Sequence, residues 1–154
     1  MIIAAHMLAG GVAGELVHNS VLAFVLGVVL HFLLDAVPHF DNVMDDDEKW
    51  NYKQVIFTGA DIVMTLFLFV LILKLPLDTS MLKMPLFWGA VGGILPDILD
   101  NVPFWSQRFR QSPWGQKIHR LHEIIQLKEV NPFWGLLTQL VIILASIQIF
   151  FMVK

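Results

Sequence analysis

The stretch His31-Phe-Leu-Leu-Asp35-Ala-Val-Pro38-His39-Phe-Asp41 sets imidazoles and carboxylates at the end of an apolar run. A degenerate copy, Pro96-Asp97-Ile-Leu-Asp100-Asn-Val-Pro103, begins 65 residues after His31. Imidazole nitrogen combined with carboxylate oxygen suits zinc, and also manganese or iron, while the excess of carboxylates admits magnesium. Residues four or three apart share one face of a helix, so His31 and Asp35 can aim at one spot, and so can Asp97 and Asp100. Two such pairs on facing helices would form a cage for a divalent metal. The expected ligands of one or two ions are His6, His31, Asp35, His39, Asp97 and Asp100, with Asp41 in a supporting or capping place.

His119 and His122 fall three apart, so both can lean over such a pocket as catalytic groups, and Asp61 is a third catalytic candidate. Arg108, Arg110 and Arg120 could draw in an anionic head group. His18 and Glu15 lie at the opposite end of the first helices and read as plain loop residues.

The elements that must position these groups are apolar helices. The chain has 154 residues, 56% hydrophobic and 15% charged, with a mean hydropathy of +0.68, which is the composition of a membrane protein in one domain. A spanning helix needs roughly 20 apolar residues. Five spans are expected, at about 2–17, 20–37, 55–74, 85–102 and 132–153. Pro96 removes a backbone hydrogen bond and crowds the turn before it, so a break or kink is expected there. Pro113 to Glu129 reads as an amphipathic helix, with Ile118, Leu121, Ile124 and Ile125 on its apolar side, either lying in the interface anchored by Trp114 or packed as a short cytoplasmic helix on its own loop.

Five spans put the termini on opposite sides. The side of the N-terminus carries Lys49, Lys53, Arg108, Arg110, Lys117, Arg120 and Lys128, against Lys74, Lys83 and Lys154 on the other, which places the N-terminus in the cytoplasm. No basic leader precedes His6, so the N-terminus reads as retained. The net charge of −3 and the lack of a basic stripe argue against a nucleic-acid partner, and the absence of cysteine excludes thiolate ligands.

Gly27–Pro38 aligned with Gly92–Pro103 shares Gly27/Gly92, Leu30/Leu95, Leu34/Leu99, Asp35/Asp100, Val37/Val102 and Pro38/Pro103. The chain therefore reads as two parallel helical-hairpin repeats, about 2–41 and 55–104, with a ligand site where they meet. Gly10-Gly11-Val-Ala-Gly14 and Gly89-Ala-Val-Gly92-Gly93 lack the lysine and hydroxyl of a phosphate loop and are expected to be close-packing faces.

In order along the chain, His6-x-x-Ala-Gly-Gly, His31-Phe-Leu-Leu-Asp35-Ala-Val-Pro38-His39-Phe-Asp41, Leu95-Pro96-Asp97-x-x-Asp100 and His119-Arg120-Leu121-His122 resemble the small membrane-bound metal-dependent hydrolases of bacteria and archaea. The core is also similar to the metal motif of zinc-dependent phospholipase C and the related single-strand nucleases. The resemblance implies a prokaryotic cytoplasmic membrane and a metal-dependent hydrolase acting on a phosphoester, such as a phospholipid or isoprenoid phosphate. The competing expectation is a membrane protein with a structural or regulatory metal site and no reaction.

Overall fold

A computed structural model describes residues 1–40, 52–72, 74, 76, 78–102, 104–126 and 130–153. Asp41, the acidic run Asp45–Glu48, Pro103 and Lys128 lie outside the described residues, so their expected roles are left with the sequence. Among the described residues the fold is all-helical, with no strands. It comprises α1 (Ile3–Val17), α2 (Ser20–Asp35), α3 (Tyr52–Phe67), α4 (Pro85–Asn101), α5 (Ser106–Arg110), α6 (Pro113–Ile125) and α7 (Pro132–Val153). A π-helical turn, Leu68–Ile72, prolongs α3, and a 3₁₀ turn, Thr79–Lys83, precedes α4.

Local chemistry sets several of these boundaries. His18 closes α1 in the left-handed region (φ 52°), returning its amide to the Gly14 carbonyl, and Asn19 caps α2 by accepting from the Leu22 amide at 2.9 Å. Ser112 caps α6 through the Gly115 amide at 3.0 Å, with Pro113 at the first helical position. The helix α4 runs on through Pro96 to Asn101, so the expected break is absent. Pro96 still has no N–H to offer the Gly92 carbonyl.

The frame of the molecule is α1, α2 and α4, each packed on the other two. Their contacts are made of backbone. A Cβ on Gly10 would collide with the Gly89 carbonyl, one on Gly27 with the same carbonyl, one on Gly92 with the Phe24 carbonyl and one on Gly93 with the His6 carbonyl. The Gly-rich stretches are thus packing faces, as their composition indicates. The second expected hairpin differs from the first: α3 leans mainly on α1, while α4 sits beside α1 and α2. The tight turn His18–Asn19 brings α1 and α2 together, whereas α3 and α4 are joined by a longer segment that lets α4 enter the first hairpin.

Among the described residues, polar side chains share the interior with apolar ones, and many large apolar side chains are exposed. Buried side chains include His6, His31, Asp35, His39, Asp100, His122 and Gln139, beside a modest apolar core of Leu8, Val12, Phe69, Leu86, Ile143 and Phe150. The exterior of α2, α3 and α7 is Val, Leu, Ile and Phe, with Val63 67% and Val21 76% exposed. By length and composition α7 is able to cross a membrane, while α1, α2 and Val55–Val70 are apolar but shorter than a full span.

Candidate metal centre

The ligand-bearing side chains meet at one end of the frame. α2 brings His31 and Asp35 on one face, with Nε2 of His31 at 3.2 Å from Asp35 Oδ2. α4 brings Asp97, whose Oδ1 lies 3.8 Å from the same nitrogen. α6 lowers His122 onto the group, its Nε2 at 2.9 Å from His31 Nε2, 3.8 Å from Asp35 Oδ2 and 3.9 Å from Asp97 Oδ1. His31, Asp35, Asp97 and His122 thereby offer one donor atom each within 4.8 Å of one another, a set that could hold a metal ion.

Three of the imidazoles are oriented by a bond from Nδ1. His31 donates Nδ1–H to the Gly93 carbonyl at 2.8 Å, in the turn where Pro96 disturbs the helical ladder. His39 donates Nδ1–H to the Val37 carbonyl at 2.8 Å, and His122 donates Nδ1–H to Asp100 Oδ2 at 3.0 Å. A carbonyl or carboxylate can only accept, so these bonds place the proton on Nδ1 and leave Nε2 of the neutral ring as a lone pair. That is the orientation metal-ligating histidines adopt.

The remaining residues named from the sequence take distinct places. His6 on α1 is buried, with Nε2 at 3.1 Å from Asp35 Oδ1 and 3.9 Å from Asp97 Oδ2, and its ring stacks on His31 at 4.2 Å between centroids. His39 Nε2 is 3.9 Å from Asp35 Oδ1, and the Met1 amine is 3.5 Å from that same oxygen. Asp100, grouped with the ligands in the sequence, faces away from the cluster: it accepts from His122 and from His119 Nδ1 at 3.0 Å, and from Arg110 Nε at 2.9 Å. Arg110 also donates Nη2–H to the Asp100 carbonyl at 3.0 Å, so its fork is turned to the protein, while Arg108 and Arg120 are exposed. His119 is a quarter exposed, with Nε2 at 3.9 Å from Glu123.

Asp61 does not join the cluster. Its Oδ2 accepts from the Ile3 amide at 2.6 Å and its Oδ1 from the Ala4 amide at 3.2 Å, so it caps α1 from α3. The catalytic expectation for Asp61 rested on its depth along the chain, which a capping carboxylate shares.

One positioning residue was not singled out from the sequence. Gln139 of α7 is 1% exposed, accepts from the Ile2 amide at 2.7 Å and donates to the Phe40 carbonyl at 2.8 Å and the Gly135 carbonyl at 3.2 Å. It ties the start of α1 to the segment that carries His39. A buried amide within an apolar span is the available signal for it.

The exposed face of α6 carries Trp114, Leu121 and Ile124, with Lys117 Nζ 5.1 Å from the Trp114 ring centroid, while Gly115, His119 and His122 turn inward. Asp97 is the open edge of the cluster, its side chain 22% exposed against 3% or less for His31 and Asp35. Its Oδ1 also accepts from Asn101 Nδ2 at 2.9 Å. Compared with protein-family profiles, with curated proteins and with solved structures, the chain matches none.

Proposed function

We propose that the chain is an integral membrane protein that uses this centre, loaded with a divalent cation of which zinc is the first choice, to hydrolyse a phosphoester of a membrane lipid. The observation that carries the reading is the convergence of two imidazole lone pairs and two carboxylates at a point with one open edge, at Asp97. Four protein donors alone would make a closed, structural site; the partial exposure of Asp97 leaves that side reachable by water or substrate as a further ligand. The membrane setting is supported by the apolar exterior and by exposed Trp114 on the histidine-bearing helix α6 and Phe104, Trp105, Phe133 and Trp134 on the segments flanking it, the residue types of an interfacial belt.

A bound divalent cation would lower the pKa of a coordinated water and offset charge on the phosphoryl oxygens. The chain's own contributions are then separable. His31 and His122 are held with Nε2 forward by Gly93 and Asp100. His119, gripped through Nδ1 and partly exposed, is the residue for passing a proton to a leaving oxygen. Arg108 and Arg120 are exposed and suited to an anionic head group. Arg110 instead holds Asp100.

The test is phosphate or head-group release from a panel of phospholipids and isoprenoid phosphates by zinc-loaded protein in detergent or vesicles. Release that disappears in Asp35→Asn supports the proposal. Stoichiometric zinc without turnover across the panel favours a structural or regulatory metal site, and absence of zinc binding removes both readings.

A further inference from the structure

We propose that the centre is built for two divalent cations, with Asp35 and Asp97 each giving one oxygen to each ion. The first ion takes His31, His122, Asp35 Oδ2 and Asp97 Oδ1; the second takes His6, Asp35 Oδ1 and Asp97 Oδ2, with His39 at its rim. The inference rests on the metal reading above and deepens it.

Two donors about 2.1 Å from a shared ion must lie roughly 3–4.2 Å apart, depending on the angle between them. In the first set five separations, 2.9, 3.2, 3.8, 3.8 and 3.9 Å, lie at or within this range, and all four donors lie within 4.8 Å of one another. Its shortest contact needs a proton or a metal ion between the partners, because both Nδ1 protons are committed and two neutral rings would face each other with lone pairs. Three separations of the second set fall within it as well. His6 Nε2 is 3.1 Å from Asp35 Oδ1 and 3.9 Å from Asp97 Oδ2, and His39 Nε2 is 3.9 Å from Asp35 Oδ1.

His6 is what points to a ligand at the second position. It is 1% exposed, and neither of its ring nitrogens makes a hydrogen bond, nor does Asp35 Oδ1 facing it. Buried polar atoms in native proteins are nearly always satisfied; the Met1 amine faces Asp35 Oδ1 at 3.5 Å, but the His6 ring, 3.1 Å from that oxygen without hydrogen-bond geometry and with Nδ1 unpartnered, marks a place for something else. A water bridging them would satisfy one pair; a cation satisfies the nitrogen and both carboxylates at once.

The stacking of His6 on His31 sets the spacing. The rings are 4.2 Å apart and 30° from parallel, and their Nε2 atoms reach different oxygens of one carboxylate, at 3.1 and 3.2 Å. Ions in front of such rings would be separated by about the ring spacing, and two-metal hydrolytic sites hold their ions about 3.5–4 Å apart. Asp97 repeats the division, Oδ1 toward His31 and His122 and Oδ2 toward His6. Two dications against Asp35 and Asp97 leave net positive charge at the open edge, which suits an anionic phosphoester better than the neutral result of one.

The experiment is zinc stoichiometry of detergent-purified protein after reconstitution and desalting, together with the electron paramagnetic resonance spectrum of manganese-loaded protein. Wild type should carry two zinc ions per chain, His6→Gln and His122→Gln one each, and Asp35→Asn none. Manganese should give an exchange-coupled spectrum in wild type and an isolated six-line signal in His6→Gln. One zinc in wild type, unchanged by His6→Gln, would overturn the second ion and leave the first. No zinc in wild type would overturn the metal reading itself. Should His6→Gln fail to fold by circular dichroism, the wild-type manganese spectrum decides alone: coupled supports two ions, isolated refutes them.

Discussion

Replacing Asp100 by asparagine separates a residue that binds metal from one that aims a ligand. Asp100 is 1% exposed, and its two oxygens have different duties: Oδ2 accepts from both His119 and His122, and Oδ1 accepts from Arg110. An asparagine keeps the shape but turns one oxygen into a donor. With the amide toward Arg110, two donors oppose each other and a charge-assisted bond is lost, worth about 1 kcal/mol because Arg110 is partly exposed. With the amide toward the histidines, His122 must accept at Nδ1, so its proton moves to Nε2 and blocks the nitrogen that faces His31. Substitutions of this supporting kind lower metal affinity by about 10–100-fold, or about 1.4–2.7 kcal/mol. The assay is competition for zinc against a chelating indicator, with Asp35→Asn, expected to abolish binding, as the reference. Complete loss of zinc in Asp100→Asn, equal to that in Asp35→Asn, would make Asp100 a ligand; an affinity within twofold of wild type would refute its orienting role.

Asp61→Ala should cost about 1 kcal/mol in thermal unfolding, from lost capping of α1, and leave zinc stoichiometry unchanged. Gln139→Ala strands the Ile2 amide and the Phe40 carbonyl and should destabilise by about 2–5 kcal/mol in the same measurement, with a drop in metal affinity through His39. Gly89→Val should destabilise by about 3 kcal/mol, because its Cβ meets the Gly10 carbonyl, whereas Gly59→Ala, with open space around it, should be neutral or stabilising by up to about 1 kcal/mol in an unfolding scan. Chelation of metal held at 100 times its dissociation constant should remove about 2.7 kcal/mol of stability, read as a fall in melting temperature.

Much of this arrangement was legible in the sequence because helical periodicity acts locally. The i, i+4 pair His31/Asp35 and the ends of the long helices follow from spacing and caps alone, as does the use of the Gly-rich stretches as packing faces, though not which helix meets which. Relations between distant segments were less legible. Asp97 and Asp100 are three apart on α4, yet one faces His31 and the other faces α6, because His119, His122 and Arg110 compete for the second carboxylate. Asp61 looked like a site residue by its depth, but the orphan amides of α1 claimed it. The repeat pattern in sequence did not foresee that α4 would pack into the first hairpin while α3 stayed on α1, since identity along a chain says nothing of which helix is nearest.

The glycine contacts of α1, α2 and α4 bear on how the molecule can fail. An interface of leucines loosens by degrees, one rotamer exchanging for another while the helices stay in place. Carbonyl against α-carbon has no rotamers to exchange, so these three helices part together or remain together. His6, His31, Asp35 and Asp97 ride on those helices, and their mutual geometry is therefore kept or lost in a single step.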